Sequence, residues 1–200
     1  MRTFGALVSI LLVVAGTSLR AGTVTLDFEG FSDSTILTNQ YSGLGATFSN
    51  TIIFTAGISL NEFELPPQSG VNVAFDNNGP ISISFTNPVL SFGGFFTYAV
   101  PLTLAAFDAT STQVGSAMSA FNSNLALSGD AGSSPNEFLQ VSSAGGISSV
   151  TITGDPGGGS FAMDDATFST AGSSTVPEPN TLGLIFLGSM IFIGFRRRLK

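Results

Sequence analysis

Between residues 23 and 170 apolar side chains recur at every second position in short runs, and no stretch keeps the three-and-four spacing of a helix. Alternation with period two is what a half-buried strand requires, because successive side chains point to opposite faces. Val24, Leu26 and Phe28 alternate with Thr23, Thr25, Asp27 and Glu29, and similar runs cover residues 46–54, 71–75, 81–85, 92–98, 102–107, 138–142, 147–152 and 161–168. Between them stand turn formers: Asp76-Asn77-Asn78-Gly79-Pro80, Thr86-Asn87-Pro88, Gly129-Asp130 and Gly154-Asp155-Pro156. Many short strands with this punctuation predict an all-β fold, a β-sandwich of jelly-roll type with a Phe, Val, Ile and Leu core. Residues 116–135, rich in Ser, Ala, Asn and Gly, give the weakest strand signal and read as an irregular crossover.

The charges of that same stretch are one-sided. Every Lys and Arg lies outside residues 22–176, at Arg2, Arg20, Arg196, Arg197, Arg198 and Lys200, and the chain has no His, Cys or Trp. Nucleic acid binding needs cations against phosphate and is excluded, as is binding to an anionic lipid surface. Without His, Cys or Lys a serine has no usual base, and there is neither a thiolate nor a Schiff-base amine. Transition-metal sites lose their ordinary ligands, leaving hard, oxygen-liking cations such as calcium. A two-carboxylate glycosidase needs only Asp and Glu. The expectation is nevertheless a non-catalytic domain with no cofactor beyond a structural calcium. About 150 residues can bury an adequate apolar core without disulfides.

Both ends read as addresses. Arg2 followed by the apolar FGALVSILLVVAG (residues 4–16) reads as a secretory signal peptide over residues 1–21, for the Sec translocon and signal peptidase. Ala21 is a natural last residue before cleavage, with Gly16 and Ser18 an alternative small-residue pair; an uncleaved anchor is the other reading. At the far end, Pro177-Glu178-Pro179 precedes the uncharged TLGLIFLGSMIFIGF (residues 181–195), and Arg196, Arg197, Arg198 and Lys200 follow. The prolines break helix and ladder. The apolar run can satisfy its backbone in lipid only as a helix, and the basic cluster stops translocation on the cytoplasmic side. Fifteen residues make roughly 22 Å of helix against a hydrocarbon core of roughly 30 Å, a marginal transmembrane span suited to temporary anchoring, although snorkelling cations allow a permanent one. Residues 169–176 form a linker of small residues able to present the Pro-Glu-Pro element.

A proline-flanked Glu, a short apolar helix and a closing arginine cluster, in that order, resemble the PEP-CTERM sorting signal of Gram-negative bacteria. The resemblance covers the final 25 residues or so. It implies recognition at Pro177, Glu178 and Pro179 by a membrane protease of the exosortase type, transient insertion in the inner membrane, and release to the cell surface or the extracellular matrix. Asn39-Gln40-Tyr41 with Gly45-Ala46-Thr47-Phe48, after Asp27-Phe28-Glu29, also resembles a phrase common in exported PEP-CTERM proteins.

Two acid pairs are candidate sites. Asp27 and Glu29, at i and i+2, fall on one face of the expected first strand. Asp164 and Asp165 interrupt the alternation of the last strand, which suggests a bulge. Acids early in the first strand and in the last resemble the calcium-carrying jelly rolls of carbohydrate-binding modules. That resemblance implies Asp27, Glu29 and Asp165 as calcium ligands, with Asp164 in reserve; otherwise these acids face solvent or accept turn N–H groups. Tyr41 can stack on a sugar ring beside Asn39 and Gln40, or it closes the edge of the core. Gly154-Asp155-Pro156-Gly157-Gly158-Gly159-Ser160 lacks the helix and lysine of a phosphate cradle and reads as a turn. The expectation is an exported, exosortase-processed, non-catalytic protein of the exopolysaccharide or biofilm matrix. A calcium-dependent lectin-like module is the alternative, and a two-carboxylate glycosidase a third reading.

Overall fold

The computed structural model describes residues 22–170, and the regular structure there is ten strands and one short 3-10 turn at Ser42–Leu44. The leader (1–21), most of the linker and the sorting segment (177–200) lie outside the described residues. The strands are β1 (Gly22–Leu26), β2 (Ile36–Leu37), β3 (Ala46–Ser49), β4 (Thr51–Thr55), β5 (Asn72–Asp76), β6 (Ile81–Tyr98), β7 (Thr103–Phe107), β8 (Gln113–Met118), β9 (Glu137–Thr153) and β10 (Phe161–Thr170). Their order is β2-β4-β5-β10-β6-β9-β7-β8, with β1 added to β10 and β3 to β6, all antiparallel. The all-β sandwich expected from the alternation is the fold observed.

Two long strands make two layers out of one hydrogen-bonded sheet. The first half of β6 pairs with β3 and with the second half of β9; its second half pairs with β10 and with the first half of β9. Sequence patterning places a turn at Thr86-Asn87-Pro88. The structure instead runs β6 through these residues as a corner, with register shifts between Ser84 and Val89 and between Val89 and Ser91. The buried side switches there from Ile81, Ile83 and Phe85 to Phe92, Phe96 and Tyr98, so both halves face one core. The partner strand makes the matching change, from Leu139 and Val141 to Val150 and Ile152. Gly146 (φ 93°) sits at that corner, and a Cβ on it would lie 2.8 Å from Pro88 Cβ, which is why glycine occupies it.

β10 has the bulge that Asp164-Asp165 suggests. Its pairing with β6 shifts between Asp164 and Thr167, Asp165 takes φ 44°, and burial passes from Phe161 and Met163 to Ala166 and Phe168. Phe85 packs on Phe168 at 5.2 Å between ring centroids and on Phe92 at 6.0 Å, tying the two layers together. Other departures from the expected strands are local. The run 46–54 is two strands, because Asn50 (φ 55°) turns the chain from a β6 partner into a β5 partner. β2 and β8 carry no readable alternation. The crossover at residues 119–136 is ordered through Asn124, fully buried, whose Oδ1 accepts the Tyr98 N–H (2.7 Å) and whose Nδ2 donates to the Phe96 carbonyl (2.9 Å).

Candidate functional site

The outer face of β4, β5 and β10 is the most worked surface of the domain. Ile52, Phe54, Val73, Phe75 and Ala162 point outward there, since Ile52 pairs with Phe75, Phe54 with Val73, and Ala162 with Phe75. The long β4–β5 connection covers half of that face. Buried Leu60 and half-buried Leu65 pack over Val73 and Ala162 as a second, small apolar cluster.

The acids singled out in the sequence hold this connection down. Asp164 is 1% exposed; its Oδ2 accepts the N–H groups of Gln68 (2.8 Å) and Ser69 (2.9 Å), and its Oδ1 that of Asp165 (2.7 Å). Asp165 accepts the Ser69 hydroxyl (3.1 Å). Glu29 Oε1 accepts the N–H groups of Val71 (3.0 Å) and Asn72 (2.9 Å). Asp27 accepts only the nearby Glu29 N–H, at 3.3 Å. Burial pushes the Asp164 carboxyl up to about 6, outweighing the N–H donors from Ser69, Asp165 and Gln68. Asp33 reaches the start of the same connection by accepting the Thr55 N–H (2.9 Å) and the Ser59 hydroxyl, and that hydroxyl chiefly holds its carboxyl below the usual range.

Three of the four proposed calcium ligands therefore meet along residues 68–72, but as hydrogen-bond acceptors, Glu29 and Asp164 of backbone N–H groups and Asp165 of the Ser69 hydroxyl. Asp27 and Glu29 are not on the first strand. β1 ends at Leu26 and Phe28 takes φ 62°, which turns the two acids into the loop that follows. Among the described residues no three acidic side chains converge as a metal shell needs.

Tyr41 sits at the core edge. Its hydroxyl accepts the Phe28 N–H (3.1 Å), and its ring meets Phe28, Phe31 and Phe48 at 5.3–6.0 Å. Burial raises its phenol to about 12. The ring is half-buried, and its contacts with three phenylalanines place it at the edge of the core.

The uncovered half of the outer face is a groove of about 270 Å³. Ile52, Phe54 and Phe75 form its apolar side, with Phe54 and Phe75 stacked at 4.9 Å; Asn77, Asn78 and the turn Gly157-Gly158-Gly159 form its polar side. Two turns distant in sequence are locked together to make it. Buried Asp76 accepts the N–H groups of Ser160 (2.8 Å) and Phe161 (3.0 Å) on Oδ1 and the Ser160 hydroxyl (2.8 Å) on Oδ2, while its carbonyl accepts the Gly159 N–H (2.9 Å). Burial raises the Asp76 carboxyl despite these donors. A Cβ at Gly158 (φ 81°) would lie 2.6 Å from the Gly79 nitrogen, so only glycine permits the approach. The glycine turn is the turn its sequence predicts, and its amides are committed: Gly157 N–H goes to Asp155 Oδ1 (2.7 Å) and Gly158 N–H to the Asp155 carbonyl (3.0 Å). Both turns are legible in the sequence and the groove is not, since nothing in either turn signals its partner.

A family model described as the PEP-CTERM protein-sorting motif matches residues 175–198. The chain thus carries that sorting motif, which implies export in a Gram-negative bacterium, transient membrane anchoring and processing by an exosortase, a membrane protease. No curated protein matches significantly. Among solved structures the domain is similar to a DUF4465 family protein from Bacteroides caccae (TM-score 0.47, 11% identity, covering 74% of this chain and 98% of the other). It is also similar to a variant of a family 29 carbohydrate-binding module studied for ligand recognition (TM-score 0.41, 11% identity, 80% and 99% covered) and to a further family 29 module (TM-score 0.39, 11% identity, 82% and 98% covered). Among the described residues no helix is long and apolar enough to cross a membrane.

Proposed function

We propose that this protein is a non-catalytic component of the extracellular polysaccharide matrix, delivered by its leader and released at Pro177-Glu178-Pro179. The supporting observation is the sorting motif standing behind a domain with no basic side chain, whose buried carboxylates are engaged in bracing turns. A carboxylate that already accepts two or three N–H groups is poorly placed to shuttle a proton to a substrate. A uniformly acidic surface keeps the released domain soluble and turns it toward neutral partners rather than anionic ones.

The test is fractionation of the producing cells. The wild-type protein is expected in the exopolysaccharide fraction, shortened at its carboxyl end. A chain with Pro177, Glu178 and Pro179 all replaced by Ala is expected full-length in the membrane fraction. Wild-type protein found processed but free of polysaccharide would overturn the matrix role while leaving the sorting route intact.

A further inference from the structure

We propose that the groove between the Asp76–Pro80 and Gly154–Ser160 turns is a binding subsite for a neutral sugar ring. This rests on the matrix role above and names the surface that would carry it.

The lining selects the ligand by what it withholds. Among the described residues no cation lines the groove, and the amides of Gly157, Gly158, Gly159 and Ser160 are all donated within the protein, so a phosphate, sulfate or uronate finds no opposite charge and no free N–H on the glycine turn. Asp76 is the only ionisable lining residue among the described residues, and both its oxygens are taken, so a cationic ligand gains little either. What remains is neutral. Phe54 and Phe75 present half-buried aromatic rings, against which the polarised C–H face of a pyranose packs favourably. Asn78 Nδ2 donates to Asn77 Oδ1 (3.1 Å), which leaves Asn77 Nδ2 as a donor and Asn78 Oδ1 as an acceptor uncommitted among the described residues. One aromatic wall with a donor and an acceptor beside it matches a ring carrying hydroxyls on its rim. The volume, just below that of small-molecule sites of about 300 Å³ and more, suits one residue of a chain rather than a long oligosaccharide. The groove is open, as an internal residue of a polymer needs.

Affinity electrophoresis of the full-length chain in detergent tests this, in gels containing a neutral galactomannan, a neutral dextran, or anionic alginate as probe. Retardation is expected in a neutral gel and not in alginate. Phe75→Ala should weaken it about tenfold or more, as loss of a stacked ring does. Asn78→Gly removes the amide yet keeps the left-handed turn residue (φ 62°), so it should weaken retardation without lowering the melting temperature. Phe63→Ala, at a residue 72% exposed and outside the groove, serves as control and should change nothing. If wild type is retarded and both groove variants are retarded equally, the groove is wrong and the polysaccharide role survives. If wild type binds neither neutral probe nor the producing organism's own exopolysaccharide, both fall. Stronger retardation in alginate overturns the neutral selectivity.

Discussion

A buried polar side chain in this domain is most often a clamp on backbone that strands leave unpaired. Asn124 supplies to the end of β6 the donor and acceptor that a neighbouring strand would have supplied. Asn124→Ala leaves the Tyr98 N–H and Phe96 carbonyl unpaired, at a cost of about 1–3 kcal/mol, checked by denaturant unfolding. Asp164 makes stability depend on pH. Its folded value near 6 lies above the 3.8 of an ordinary aspartate, so the folded state binds the extra proton. Its contribution is therefore present below pH 3.8 and lost as pH rises through about 6. The melting temperature of Asp164→Asn minus that of wild type should grow between pH 4 and 7; a constant difference would sink the assignment. Asp76 shifts the same way but is common to both proteins, so it cancels. Calcium would have to displace the N–H groups that Glu29 and Asp164 accept. Adding it to metal-stripped protein should leave the melting temperature unchanged, whereas a rise abolished by Asp164→Asn would restore the metal.

At the level of elements, what could be read ahead of the structure was whatever burial imprints on alternation. The runs at 71–75, 102–107 and 161–168 became β5, β7 and β10 with ends within a few residues. β8 could not be read, because it lies half or fully exposed and no apolar period marks it. The corners were legible as breaks and illegible as corners. A change of inward parity with Pro or Gly beside it looks the same whether the chain turns back or bends and continues, and only the pairing of Val89 with Ile147 decides. Gly146→Ala tests the corner. Gly132 has a similar φ of 85° with nothing within 4 Å of its would-be Cβ, so Gly132→Ala should cost only the backbone preference, about 1 kcal/mol. Gly146→Ala must also push Pro88 aside, and its larger fall in melting temperature measures that contact. The acids were found by the same logic. The broken alternation at Asp164-Asp165 marked a real bulge, but residue types alone cannot tell an acceptor of N–H groups from a ligand of calcium.

For the molecule as a whole, the two sheet layers share one apolar core, so damage at its centre is not local. Phe92, fully buried between Phe85 and the second half of the fold, should cost about 3–5 kcal/mol when cut to Ala, read as a single cooperative loss in thermal unfolding. The polarity of the chain, acidic in the middle and basic only at the ends, was plain from the sequence; the pairing of the first and last strands of the domain was not. β1 lies along β10 with Gly22 opposite Thr170, and the tail continues from that point. β10 is flanked by β6 on one side and by β1 and β5 on the other. A load applied at Thr170 along the strand axis would run lengthwise down β10, across the direction of its hydrogen bonds, and set neighbouring bonds in shear together. A protein held at that end and dragged by a polymer caught beside β5 would resist as a lap joint does, with the load spread over the overlap, instead of parting one bond at a time like a zip.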